Sequence, residues 1–301
     1  MDLISIFLHH FKIKKKENKM KKINIIISLI ALFWMVSCDV IDQPFEEKIE
    51  GPDTTKTDVV YKKILLEDYT GFNCPNCPRA AEVIHTILNT YNDNVIPVAI
   101  HAGYFAKPKT QASSPYKYDF RTTVGDEWDT YFGISAVGNP NGLVNRINSH
   151  KIYSFQEWLA QISENLSKIS DFKIKLRATM NDAKSKINSE IEVTTLNNLT
   201  ANYKLNVILI QDNIVDYQNN EGVDVADYVH NHVLRATFNG NWGEDIITSP
   251  AAKNTKIVKE YNLEVKKDDK HPWLKENLKV VAFIYDAQTY EVMQVEEIKV
   301  N

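Results

Sequence analysis

Two cysteines, Cys74 and Cys77, are the residues of this chain whose types and spacing point most directly to a reaction. They stand in the run Phe72-Asn73-Cys74-Pro75-Asn76-Cys77, and Cys38 is the only other cysteine in 301 residues. A Cys-x-x-Cys pair at the start of a helix favours thiol–disulfide exchange, because the helix terminus lowers the pKa of a thiol and exchange proceeds through the thiolate. A permanent structural disulfide is the alternative.

The pattern assigns different roles to the residues around this pair. Cys74 is predicted to be the more exposed cysteine and the nucleophile, while Cys77, one turn inside the helix, would resolve a mixed disulfide. Pro75 would lie near the first helical turn, where a missing N–H matters least. Asp68, if buried below Cys77, would exchange a proton with it. The alternative for Asp68 is an ordinary carboxylate at a strand end.

The elements that must position these residues can be predicted from hydrophobic periodicity. Residues 61–69 form an apolar run typical of a buried strand, residues 80–91 have helical spacing, and residues 95–101 form a second apolar strand. A strand, a helix and a strand at this spacing predict a βαβ unit with parallel strands.

The next segment is less regular. Residues 102–132 are rich in aromatic residues and are expected to be an insertion with a helix over 119–131. Residues 143–147 are predicted to form a hairpin with 151–153, and Ser154 with Glu157 forms a capping box that opens a helix.

A change of period from residue 171 onward predicts a second domain, 171–301. Alternation of apolar and polar residues there indicates seven or so strands, and hence an antiparallel β-sandwich, immunoglobulin-like in arrangement. His230 and His232 are weak candidates for a metal site, against a polar loop, because no third ligand is obvious. No cofactor is predicted.

The N-terminus indicates export. Residues 1–37 combine lysines with an apolar run of about 14 residues, which is typical of a signal peptide, and end before Cys38 in a sequence that resembles a lipoprotein processing site. Cys38 would then carry a lipid, and residues 38–58 would be a flexible tether. The first 37 residues hold seven lysines against Asp2 and Glu17, so the rest of the chain has a net charge of −9. This negative charge argues against nucleic-acid partners and against attraction to an anionic membrane, so contact with the membrane would be through the lipid alone.

The order of elements over residues 59–170 resembles the thioredoxin fold. Asp68 lies six residues before Cys74, where thioredoxins carry a buried acid, and Asn139-Pro140 stands where that fold carries a cis-proline. The resemblance implies that Asn139 and Pro140 present backbone to a substrate peptide, with Pro75 and Phe72 beside it.

Over nearly its full length the chain is similar to the outer-membrane lipoproteins of Bacteroidetes related to the twenty-eight-kilodalton outer membrane protein. The segments that carry this similarity are residues 68–78, 139–146 and 227–235. It implies a thioredoxin-like domain followed by a β-rich domain, anchored in the outer membrane and periplasmic or surface-exposed. Two functions stay open: disulfide exchange with extracytoplasmic protein or peptide thiols, and non-catalytic binding or assembly.

Overall fold

A mixed nine-stranded sheet organises the structure, a computed structural model that describes residues 59–301. The predicted signal peptide, the Cys38 lipid site and the tether lie outside the described residues. The strands are β1 (Ile64–Thr70), β2 (Val95–His101), β3 (Asn141–Val144), β4 (Tyr153–Ser154), β5 (Phe172–Met180), β6 (Lys186–Thr195), β7 (Tyr203–Gln211), β8 (Ile214–Asn220), β9 (Val223–His230), β10 (Val233–Thr237), β11 (Glu244–Ile247), β12 (Lys256–Glu264), β13 (Leu278–Asp286) and β14 (Val292–Lys299).

These strands form three sheets. The nine-stranded sheet has the order β14-β13-β7-β10-β2-β1-β3-β4, with β11 paired to β7. A second sheet contains β12-β6-β5, and a third is the hairpin β8–β9.

The helices are few and short. The described residues contain α1 (Cys77–Tyr91), α2 (Thr123–Phe132), α3 (Ile134–Val137), α4 (Ile147–His150) and α5 (Trp158–Asn165). Within residues 59–301, no helix combines the length and the apolar character that crossing a membrane would need.

The predicted βαβ unit is confirmed. β1 and β2 are parallel, and α1 connects them. Every residue of β1 is buried, because its two faces pack into different cores. Ile64 and Leu66 contact the core under α1 and α5, whereas Leu65 and Tyr69 contact the core under α2. A strand covered on both faces explains the uninterrupted apolar run in the sequence.

The strands after residue 171 form a two-layer β-sandwich. The inward residues of β5 and β6 pack against alternate residues of β7 and β13 in one core. Yet β7 and β13 also belong to the sheet that contains β1, since β10 joins β7 to β2. This differs from the two independent antiparallel sheets expected of an immunoglobulin-like arrangement, and it places strands from both predicted domains in one sheet.

Three local predictions are changed in detail. The hairpin after Pro140 pairs Gly142 with Tyr153, but left-handed backbone at Asn145 and Arg146 ends β3 before residue 147. The insertion helix α2 begins at Thr123 rather than near 119, because the Thr122 side chain accepts the Gly125 N–H and caps it. Only one half of the capping box forms: the Ser154 N–H donates to Glu157 Oε2 at 3.0 Å, but α5 begins at Trp158, with Glu157 as its N-cap and no side-chain cap.

The hairpin β8–β9 was not anticipated from the sequence. Its polar residues lack the alternation that indicates a strand, but its turn has positive φ at Glu221 and Gly222, as a tight two-residue hairpin turn requires. Ile214 anchors its base in a small aromatic core with Phe72 and Phe120.

Candidate functional site

Cys74 and Cys77 form a disulfide in the connection between β1 and α1, with a Cα–Cα distance of 5.4 Å. Two successive turns make this connection: the Cys74 N–H donates to the Gly71 carbonyl, and the Cys77 N–H donates to the Cys74 carbonyl. α1 begins at Cys77, with Asn76 as its N-cap. Cys77 is thus at the helix start and not one turn inside.

Both cysteines are buried. Cys74 is 1% exposed and Cys77 is 3% exposed, so the expectation that Cys74 would be the accessible member is wrong for this structure. A thiol-reactive protein could reach neither sulfur without movement of the residues around them.

The hairpin β8–β9 covers the disulfide connection. The Asn219 N–H donates to the Phe72 carbonyl at 2.8 Å, and the Glu221 N–H donates to the Pro75 carbonyl at 2.9 Å. Gln218 Nε2 donates to the Cys74 carbonyl at 3.0 Å. The carbonyl groups of Phe72 and Pro75, two residues predicted to lie beside a substrate peptide, are therefore occupied by the chain itself. The Phe72 ring is buried in stacking with Tyr116.

Pro140 lies on the other side of the disulfide. The Asn139–Pro140 peptide bond is cis, as the sequence predicted. The Asn139 carbonyl oxygen lies 3.7 Å from Cys74 Sγ. The fold thus brings the predicted proline loop to the cysteines across 65 residues of sequence.

Asp68 is buried on β1 next to the same site. It is 3% exposed, and its Oδ1 has no hydrogen-bond partner among the described residues. Burial raises the pKa of Asp68 to about 7. Asp68 and Cys77 line one cavity of about 120 Å³. A carboxyl group that exchanges protons near neutral pH therefore borders the same cavity as the buried cysteine.

Two buried histidines line this cavity as well. Burial lowers the pKa of His230 to about 4 and holds the pKa of His101 well below its ordinary value. The rings of His101 and His230 are 5.6 Å apart. His232 also lines the cavity. Within residues 59–301, no three His, Cys, Asp or Glu side chains are arranged to hold a metal ion.

A charged cluster fastens the base of the hairpin. Asp216 on β8 accepts hydrogen bonds from His271 Nε2 at 2.8 Å and from Lys270 Nζ at 2.6 Å. Although burial acts to raise it, these two hydrogen bonds hold the pKa of Asp216 at about 2. Sequence reasoning missed Asp216, Gln218 and His271, because the contacts that give them a role span from 54 to 144 residues and leave no local pattern.

A second buried charge pair lies behind β1. Arg146 donates to Glu67 through Nε and Nη2 at 2.8 and 2.7 Å, and both side chains are fully buried. The Arg146 guanidinium also lies over the rings of Trp128 and Phe132, about 5 Å from each centroid. This pair fastens the end of β3 to β1, which holds the preceding Pro140 loop in place.

Comparison with a family model identifies the C-terminal part of the chain. Residues 125–301 match the model described as Outer membrane protein Omp28. The chain belongs to the Omp28 family of outer membrane proteins. Membership associates the protein with the outer membrane. The matched range begins inside α2, so it includes Pro140 and the hairpin but neither cysteine.

The chain is also similar to solved structures. HBP35 of Porphyromonas gingivalis has a TM-score of 0.57 at 13% identity, over 80% of this chain and 76% of that one. A domain of the outer membrane lipoprotein Omp28 from the same organism is 27% identical, with a TM-score of 0.33, over 44% of this chain and 89% of that one. None of the curated proteins matches the chain. The likeness to HBP35 shows a common fold and nothing about activity.

Proposed function

We propose that this Omp28-family protein is a lipoprotein, anchored through Cys38, that exchanges disulfides with extracytoplasmic proteins through Cys74 and Cys77 in a thioredoxin-like arrangement. The observation that carries the proposal is Asp68, a buried carboxyl group whose pKa is about 7 and which lines one cavity with Cys77. The cis-proline loop beside Cys74 supports the same arrangement.

Asp68 favours a reactive pair over a structural one on energetic grounds. Burial disfavours the charged form of a carboxyl group, and the rise of about three units in the pKa of Asp68 corresponds to about 4 kcal/mol. A structural disulfide gains nothing from such a group, whereas a reactive pair needs a proton donor and acceptor whose pKa is near the working pH. The cost of burying Asp68 is thus explained by chemistry at Cys77.

The chemical steps balance with an external thiolate as reductant. The incoming sulfur attacks Cys74 Sγ, forms a mixed disulfide and breaks the bond to Cys77, which leaves as a thiolate. The Asp68 carboxyl group then gives its proton to Cys77. In the opposite direction Asp68 accepts that proton, and the Cys77 thiolate releases the partner. Because both cysteines are buried and the hairpin is bonded to the carbonyl groups beside them, Gln218 and its neighbours must first move away.

A non-catalytic binding or assembly role with a structural disulfide is the second candidate. Burial of both sulfurs under β8–β9 favours it.

Redox titration and alkylation of the full-length protein distinguish the two. A reactive pair will equilibrate in glutathione buffers, reduce insulin when supplied with a reductant, and show alkylation of Cys74 in a Cys77→Ser variant. Asp68→Asn should slow the exchange at neutral pH, whereas Asp93→Asn, an exposed aspartate, should not. A pair that stays oxidised in strongly reducing buffer, with Cys74 inert to alkylation, would rule out the exchange function.

A further inference from the structure

Four buried polar atoms around the cavity beside Cys77 have no hydrogen-bond partner among the described residues. They are Asp68 Oδ1, His101 Nδ1, His230 Nε2 and His232 Nδ1, and their residues all line the cavity. Of these, His232 Nδ1 lies 3.2 Å from Asp212 Oδ1. Buried polar atoms are ordinarily satisfied by protein or by water. A volume of about 120 Å³ has room for about four waters at roughly 30 Å³ each, and each water needs two to four polar partners. The cavity meets both conditions.

The cavity also reaches the surface. Besides its buried end at Asp68, it is lined by His85 and Asn231, which are exposed, and by Val229, which is 45% exposed. Its mouth therefore lies between α1, which carries His85, and β9, which carries Val229. The cavity thus extends from solvent to the carboxyl group, through a lining that mixes polar side chains with apolar ones such as Ile84 and Leu88.

We infer that this cavity is the path by which protons reach Asp68 during thiol–disulfide exchange, and that His230 is a positioning residue that relays them through cavity water. The inference rests on the proposed function. It adds to that function a defined proton path and a second residue, contributed by the hairpin that covers the disulfide.

His230 has the properties that such a relay needs. Its ring is held by the backbone of Asp216 and Tyr217, and because Nε2 has no partner, that nitrogen is free to accept a proton from water. The neutral imidazole can take a proton on Nε2 from one water and return it from the same nitrogen to the next, and its low affinity for the proton keeps the proton from being retained. On reduction of the disulfide, Asp68 gives its proton to Cys77, and one proton from solvent then restores the Asp68 carboxyl group.

The charges around these groups come from several elements. Arg235 and His230 disfavour a positive charge on His101. On His230, Asp216 favours a positive charge and His271 disfavours it. The remaining titratable groups that line the cavity or act on its lining are His85, Tyr228, Glu82, His232, Asp212 and Lys279. In this surrounding, burial raises the pKa of Asp68 to about 7.

The test is single-turnover reduction of the full-length oxidised protein by dithiothreitol, followed at pH 6 and pH 8. Below pH 7 Asp68 already holds its proton, so His230→Gln should be reduced as fast as the wild type. Above pH 7 the proton must enter through the cavity, and the variant should be about tenfold slower. Dithiothreitol ionises equally in both reactions, so the ratio of the two rates isolates the relay.

Three further proteins complete the design. His101→Gln should show the same pH-dependent ratio, and it replaces His230→Gln if that variant does not fold. His150→Gln, at a histidine bonded to the Thr289 carbonyl and absent from the cavity lining, should match the wild type at both pH values. In an Asp68→Asn background, His230→Gln should have no additional effect. If the ratio of the reduction rates of wild type and His230→Gln is the same at pH 6 and pH 8, the relay alone is overturned. If the wild-type disulfide is inert to dithiothreitol at both pH values, the exchange function is overturned and the relay with it.

Discussion

The Asn219 N–H donates to the Phe72 carbonyl at 2.8 Å, which joins the hairpin β8–β9 to the segment that carries the disulfide. Phe72 lies two residues before Cys74, and Asn219 lies next to the hairpin turn. Main-chain pairing of this kind is how an extended peptide binds beside another strand. The chain thus places its own strand against the cysteines, and we expect access to the disulfide to depend on how firmly that strand is held.

Gln218→Ala should make the disulfide more reactive. The substitution removes the side-chain donor to the Cys74 carbonyl, and one hydrogen bond contributes about 1 kcal/mol. With its packing also reduced, we expect the open state to be populated about tenfold more and reduction by dithiothreitol to quicken by the same factor. Gln288→Ala, at an exposed glutamine, is the matched control. Equal rates in wild type and Gln218→Ala would show that the hairpin does not limit access.

Asp68→Asn should stabilise the oxidised protein at alkaline pH. Because the folded-state pKa of Asp68 is raised from 3.8 to about 7, the native state binds the proton more tightly. Its contribution to stability is therefore full below pH 4 and is lost as the pH rises toward 7. A rise of about three units corresponds to about 4 kcal/mol at 1.36 kcal/mol per unit.

Denaturant unfolding at pH 4 and pH 8 measures this effect. The variant should gain stability relative to the wild type between the two pH values, and Asp93→Asn should not. A difference that does not change with pH would contradict the assignment of the raised pKa to Asp68.

His230→Gln should lessen the loss of stability in acid. The folded-state pKa of His230 is lowered from 6.5 to about 4, so folding favours the neutral ring, and stability is lost as the pH falls from 6.5 toward 4. The full shift corresponds to about 3 kcal/mol. Urea unfolding of wild type and variant at pH 7 and pH 4 gives the difference, with exposed His85→Gln as control. If the free energy of unfolding falls by the same amount from pH 7 to pH 4 in the wild type and in His230→Gln, the lowered pKa of His230 is refuted.

Glu67→Gln should destabilise the fold strongly. It leaves the Arg146 guanidinium fully buried without its carboxylate, and breaking a buried pair costs about 3–5 kcal/mol. Replacing both residues, by Glu67→Leu with Arg146→Met, should restore most of that loss because no unpaired charge remains. Thermal unfolding of the single and double variants measures the coupling. Equal losses in both would show that the ion pair itself is not what stabilises this region.

The sequence by itself determined the elements whose residues are close along the chain. Apolar periodicity was sufficient for β1, α1, β2 and most later strands, because burial of a helix face or a strand face leaves a local period. The Cys-x-x-Cys pair was likewise readable as a short motif, and the cis bond before Pro140 was implied by the resemblance to the thioredoxin fold.

Only the tertiary structure decided how accessible and how acidic the candidate site is. The hairpin over Cys74, the cavity shared by Asp68 and His230, and the partners of Arg146 all join residues far apart in sequence. Polar residues such as Gln218 carry no periodic signal, and their partners are set only when β10 joins β7 to β2. Burial, which raises the pKa of Asp68 and lowers that of His230, is a property of that packing and of no single segment.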